Sequence, residues 1–201
     1  MRTTLVWLRN DLRFHDHLPL QCALEKSDQI LLVYCLPNSW FQDTAYGFPK
    51  INNIRLEFLL QSLGDFRKHA QERGGELIFR KGNPPDIIAE LAEHHRVDVV
   101  FAHREHAPEE KLEEDNLRER LKVPLRLCDG NSLLKETELP FSFVDLPQVF
   151  SKFRKQVEKE VQISRPIPVP KILPPHPQDC PPGIIPNLED LGFEPFIRDI
   201  R

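Results

Sequence analysis

Glycine is scarce in this sequence, and its absence from one place is the first constraint. The chain of 201 residues has eight glycines, none between positions 9 and 17, where the first strand gives way to the first helix. A dinucleotide-binding turn needs glycines there so that the backbone can approach a pyrophosphate. There is also no phosphate-loop lysine motif and no G-x-S-x-G elbow. A nucleotide-binding stress-type protein on the same sheet is disfavoured for the same reason. Cysteine is sparse too. Cys22, Cys35, Cys128 and Cys180 lie far apart with no C-x-x-C pair, as reduced thiols in or near a core do.

Other absences narrow the class further. The eight histidines fit no zinc-site spacing, so no metal is assigned. His94-His95 reads as a surface pair at a helix end, and His103 and His106 flank Arg104-Glu105. No apolar run approaches the roughly 18 residues of a membrane span. The N-terminus shows no basic segment followed by an apolar one. No membrane partner and a cytoplasmic location are therefore expected. Net charge is −4 with no long run of lysine or arginine. That lack of a basic footprint argues against this chain gripping DNA phosphates alone.

What is present alternates. Short apolar runs at 3–8, 29–36, 76–80, 97–102 and 124–128 read as strands. Helical periods fall at 18–27, 53–73, from Pro84, and at 108–121, the last acidic in its first turn. Asn83 reads as the cap of the helix that Pro84 opens. Residues 37–52 form a long loop rich in aromatics (Trp40, Phe41, Tyr46 and Phe48), of a length that is often functional. The pattern predicts an α/β fold: a five-stranded, parallel, doubly wound (Rossmann-like) sheet of order 3-2-1-4-5, with residues 1–130 as its body. Residues 131–162 should be a packed extension whose helix, about 147–161, lays Phe150, Phe153, Val157 and Val161 back on the body. Residues 163–201 form a proline-rich C-terminal connector. Nine of the 24 residues from 163 to 186 are proline, a density that excludes helix and interior strand. The terminal piece, 187–201, offers Leu188, Leu191, Phe193 and Phe196.

The densest polar stretch is Arg9-Asn10-Asp11-Leu12-Arg13 after the first strand, followed by His15-Asp16-His17. Such a turn lies at the carboxyl edge of an open sheet, where ligands bind. The aromatic loop, His103 to His106, and Gly130-Asn131-Ser132 should converge on the same edge. Arg9, Asp11 and Arg13 are expected to lock the turn as an internal salt-bridge network and also to wall a pocket. Arg55 crowns the first turn of the longest helix, where the helix dipole disfavours a cation by roughly 0.3–1 kcal/mol. An anionic partner is expected for it, either a carboxylate of this chain or a ligand.

These residues carry a resemblance. Trp7-Leu8-Arg9-Asn10-Asp11-Leu12-Arg13 followed by Asp16 is similar to the opening W-F-R-x-D-L-R-x-x-D of the photolyase/cryptochrome family. Phe48-Pro49-Lys50, Arg55 with Phe58-Leu59, Val100 to Glu105, Leu139-Pro140-Phe141, Val144 to Pro147 and Phe153-Arg154-Lys155 resemble the DASH cryptochromes in particular. The likeness runs from residue 1 to about 200. It implies an N-terminal α/β domain that helps house an antenna chromophore, methenyltetrahydrofolate or similar, in a cleft against a second domain. It also implies that FAD, the electron-donating tryptophans and the DNA lesion belong to that second, helical domain, whose place would begin where this sequence stops at Arg201. The family's blue-light repair of cyclobutane pyrimidine dimers is then not expected of this chain alone, which assigns it no catalytic residue. The missing FAD-binding domain is the expected partner, and DNA a partner only through it; the sequence specifies no oligomeric state. Within this chain Glu105 and Arg55 are the expected chromophore contacts, with Arg9, Asn10 and His103 beside them. A carboxylate can accept from a pterin's N–H groups, and a guanidinium can pair with an anionic tail. The alternative is a stand-alone, non-enzymatic ligand-binding or protein-interaction module.

Overall fold

In the computed structural model, which describes residues 1–134 and 136–194, β1 (Thr3–Leu8) is buried along its whole length at the centre of the sheet. β2 (Gln29–Pro37) and β3 (Leu77–Gly82) lie on one side of it. β4 (Val99–His103) and β5 (Leu125–Cys128) lie on the other. All pairings are parallel and the order is 3-2-1-4-5, as the alternation predicts. The register sets Trp7 level with Val33 on one side and Ala102 on the other. The ends of β1, β2 and β4 therefore open onto one edge.

Side chains of a strand alternate between faces, and two cores follow from that. Val6, Leu8, Leu32, Tyr34 and Leu36 pack with α1 (Leu18–Leu24) and α2 (Asn53–Gln71), through Leu20, Leu56, Leu63 and Phe66. Leu5, Trp7, Leu31, Val33 and Cys35 pack with α3 (Pro84–His94) and α4 (Pro108–Arg120), through Ile88, Leu91 and Leu117. With both faces covered, the strands can be apolar throughout. Asn52 caps α2 by accepting the Arg55 amide at 3.0 Å. Asn83 makes no such cap; its amide instead donates to the Asp86 carboxylate at 2.5 Å. The aromatic loop is less open than its length suggests. It contains a 3-10 turn, Asn38–Phe41, and a bridge between Asp43 and Pro49.

Two segments differ from the sequence reading, and in opposite senses. The helix expected to pack on the body, α5 (Phe150–Glu160), buries none of its residues. Phe150 is 72% exposed, and Phe153 instead meets Phe141 at 5.4 Å between ring centres. The connector, read as a linker, is docked. Leu173 and Leu188 belong to the first core and Cys180 to the second. Proline removes an N–H donor but leaves its carbonyl, and the body uses those carbonyls. Ile30 N–H donates to Pro175 at 3.1 Å, and Phe79 N–H to Pro182 at 2.7 Å. Arg73 Nε donates to Pro170 at 3.2 Å, and Arg80 Nη2 to Pro181 at 2.9 Å. The Phe79 bond partly covers the free edge of β3, which would otherwise offer a template for pairing. Leu191 and Phe193 also pack on the first core; Phe196 lies outside the described residues.

Candidate functional site

Asp11 organises the turn after β1. Its Oδ1 accepts the Arg9 amide at 2.7 Å. Its Oδ2 accepts from His103 Nδ1 at 2.5 Å and lies 3.1 Å from His17 Nε2. His17 Nδ1 accepts the Leu20 amide at 3.1 Å, capping α1. A neutral imidazole that accepts at Nδ1 carries its proton on Nε2, so His17 points N–H at the carboxylate. Burial alone would raise the Asp11 pKa. The hydrogen bonds from His103 and the Arg9 amide, with the nearby His17 N–H, outweigh it and hold the carboxyl far below its ordinary range. The Arg13 side chain does not pair with the Asp11 carboxylate; its guanidinium donates to the Asp16 carbonyl at 3.1 Å, while its amide donates to the Asp11 carbonyl at 2.6 Å.

Arg9 also bypasses Asp11 with its side chain. The guanidinium reaches α4, where Nη1 meets Glu114 Oε1 at 2.6 Å and Nη2 lies 3.5 Å from Glu113. It stacks over Trp7 at 4.4 Å from the ring centre. Glu114 Oε1 accepts the Glu105 amide as well, at 2.9 Å. One buried carboxylate thus ties the ends of β1 and β4 to α4. The expected salt-bridge network among Arg9, Asp11 and Arg13 does not form: Arg9 pairs with glutamates of α4, and Asp11 with histidines.

Two cavities open beside this scaffold and share Arg9, Asn10 and Trp40. One, of about 330 Å³, runs between Trp7, Tyr34, Lys50 and Glu113. The other, of about 310 Å³, is walled by Arg9, Asn10, Trp40, Arg55, Phe58 and Leu59. The Arg55 guanidinium lies over Trp40 at 4.8 Å and donates to the Lys50 carbonyl at 3.4 Å. Among the described residues no carboxylate pairs with it. Lys50, by contrast, is paired with Glu109. Phe58, 68% exposed, offers an uncovered apolar surface at the rim.

The structure brings Arg9, Asn10 and Arg55 to one cavity. Glu105 lines neither cavity. It is half-buried and hydrogen-bonded to Asn10, and burial raises its pKa against the pull of Arg9. His103 lines neither cavity. Its side chain is 1% exposed and held behind the turn by Asp11. Sequence reasoning missed Trp7, Glu113, Glu114 and His17. His17 had a signal, standing just before Leu18-Pro19 where a cap belongs. Glu113 and Glu114 had none, since a buried glutamate in an acidic helix looks like its solvated neighbours.

A family model described as DNA photolyase matches residues 4–174. A protein named cryptochrome DASH from Gloeobacter violaceus is 39% identical over 203 residues, spanning 100% of this chain and 40% of that protein. A cryptochrome DASH of Arabidopsis thaliana, chloroplastic/mitochondrial, is 39% identical over 96% of this chain and 35% of its own length. The crystal structure of a Synechocystis sp. cryptochrome superposes with a TM-score of 0.84 at 37% identity, covering 89% of this chain and 38% of that one. The chain therefore spans about 40% of the length of the relatives it matches.

Proposed function

The chain belongs to the DNA photolyase family, and on that premise we propose that it is the antenna-chromophore domain of a DASH-type cryptochrome or photolyase. The observation that carries the proposal is Arg55. Its guanidinium is stacked on Trp40, lacks a carboxylate partner among the described residues, and faces an open cavity with Arg9, Asn10 and an exposed Phe58. A planar, conjugated, anionic molecule such as methenyltetrahydrofolate fits that set. Trp40 and Phe58 would supply flat apolar surface, Arg55 would pair with the anionic tail, and Asn10, held by Glu105, would orient the polar edge. When bound, such a group absorbs light and passes the excitation on by dipole coupling. The protein's residues hold and orient it, and Asp11, His17, His103 and Glu114 keep the wall rigid behind them.

Blue-light repair of cyclobutane pyrimidine dimers, FAD binding and DNA contact are assigned to the portion of the longer protein that this chain does not span. The second wall of the cavity is assigned there too. This chain alone therefore binds folate weakly. The test is calorimetric titration of methenyltetrahydrofolate into the purified chain. Weak binding that Arg55→Ala reduces further supports the reading. Sub-micromolar affinity abolished by Glu105→Gln would overturn the incomplete wall.

One observation favours the alternative, a protein-interaction module. α5 carries Phe150 and Phe153 in ring contact, and none of its residues is buried. Exposed apolar patches of this kind mark interfaces. Sedimentation at rising concentration tests it: a strict monomer that recovers no partner counts against it.

A further inference from the structure

The edge of the sheet opposite the two cavities carries a second cluster of side chains. α3 ends in His94, with His95 as the residue that closes it. The docked connector passes there at Asp179, whose Oδ1 lies 3.4 Å from His95 Nδ1. The His94 and His95 rings meet edge-on, 4.7 Å between centres. One potential ligand atom from each of His94, His95 and Asp179 falls within 4.8 Å of the others. A cavity of about 440 Å³, lined also by Thr3, Gln29 and Arg96, gives water and ions access.

We infer that His94, His95 and Asp179 form a binding site for a borderline divalent cation, with Zn²⁺ as the type case, that fastens the connector to α3. Tetrahedral zinc with bonds of about 2.0–2.2 Å sets its donors about 3.3 Å apart. The His95–Asp179 separation is already at that spacing, and His94, exposed, can rotate to close the third side. Two imidazoles and one carboxylate suit Zn²⁺, Cu²⁺ or Ni²⁺ rather than the all-oxygen shells of Ca²⁺ or Mg²⁺. Solvent reaches the remaining coordination position. His95 is pre-oriented: its side chain is 4% exposed, and its contact with Asp179 is too long to be a strong hydrogen bond. Arg96 at the cavity rim opposes the cation and limits affinity. Two of the donors adjoin in sequence, but the third arrives only because the connector is docked.

The test is isothermal titration of chelator-treated chain with ZnCl₂, beside Asp179→Asn, His94→Gln and a control, His69→Gln. Asp179 and His94 are exposed, so these variants keep the fold, which circular dichroism verifies. His69 stands between Asp65 and Glu72 on α2 and is the competing surface histidine. The expected result is one Zn²⁺ per chain, weakened about tenfold or more in both ligand variants and unchanged in His69→Gln. Co²⁺ in place of Zn²⁺ gives visible absorption bands that Asp179→Asn abolishes. Zinc that binds Asp179→Asn as tightly as the parent, binds only where His69 is intact, or does not bind at all overturns the site.

Discussion

Asp11 and His103, at the ends of adjacent strands, share a hydrogen bond of 2.5 Å with both side chains almost wholly buried. This contact joins the turn after β1 to β4 and puts Arg9 and Asn10 where the cavities need them. Both carboxylate oxygens of Asp11 accept, Oδ1 from the Arg9 amide and Oδ2 from His103 Nδ1. An asparagine can satisfy only one side, because its NH₂ must face an N–H on the other. Asp11→Asn is predicted to cost about 1–3 kcal/mol, the scale for leaving a buried hydrogen-bonding group unsatisfied. Urea unfolding monitored by circular dichroism measures it.

The same residue sets an acid limit. Its pKa is depressed in the folded chain below the ordinary 3.8. A depressed carboxylate contributes stability that is complete above the unfolded pKa and is lost as pH falls through the folded one. Unfolding free energy measured against pH should therefore lose the Asp11 contribution only below about pH 4. In Asp11→Asn that part of the acid slope should be missing.

Glu114→Ala leaves the Arg9 guanidinium buried with only Glu113, at 3.5 Å, for an ion partner. A loss of about 3 kcal/mol is expected. Because Arg9 lies over Trp7, the emission of Trp7 should change with it. Unaltered tryptophan emission and unaltered stability would show that Glu114 does not hold the arginine.

The connector's docking makes a further prediction. Gly183 has φ of +75°, and a Cβ there would stand 2.4 Å from the Phe79 carbonyl. Gly183→Ala should cost about 1–3 kcal/mol and open residues 163–186 to proteolysis. Leu173→Ala removes a side chain 3% exposed and should cost about 2–5 kcal/mol. A connector equally resistant in parent and both variants would contradict the docking.

The thiols offer a spectroscopic check. Burial pushes the Cys35 thiol up to about 12 and also raises that of Cys128, which its neighbour Cys22 raises further. At pH 8 both remain thiols, which are poor nucleophiles. Native-state labelling with a disulfide reagent should leave the buried Cys35 unmodified until the chain unfolds.

The sheet was legible because strand spacing, apolar runs and helix stops agree. Leu31 to Leu36 reads as a doubly covered strand, and it is one. Arg9, Asn10 and Arg55 were legible as a cluster because they sit at element ends on one edge. Glu114 was not, because burial of one glutamate among several depends on where α4 docks. The docking of the connector was not legible for a specific reason. Proline density rules out helix and interior strand, but it does not rule out serving as a row of acceptors for Ile30, Phe79, Arg73 and Arg80. For α5 the apolar positions were read correctly, but amphipathicity does not name what covers the face.

The central claim is that an aromatic anion seats beside Arg55 and Trp40, and Trp40 itself reports on it. The decisive measurement is quenching of intrinsic fluorescence by methenyltetrahydrofolate, compared between the parent chain and Trp40→Phe. The account predicts saturable, weak quenching in the parent, with the apparent affinity further weakened by Arg55→Ala and by Trp40→Phe, which removes the stacking surface while Trp7 still reports. An apparent affinity that is equal in parent and Trp40→Phe, or that does not respond to Arg55→Ala, would contradict it.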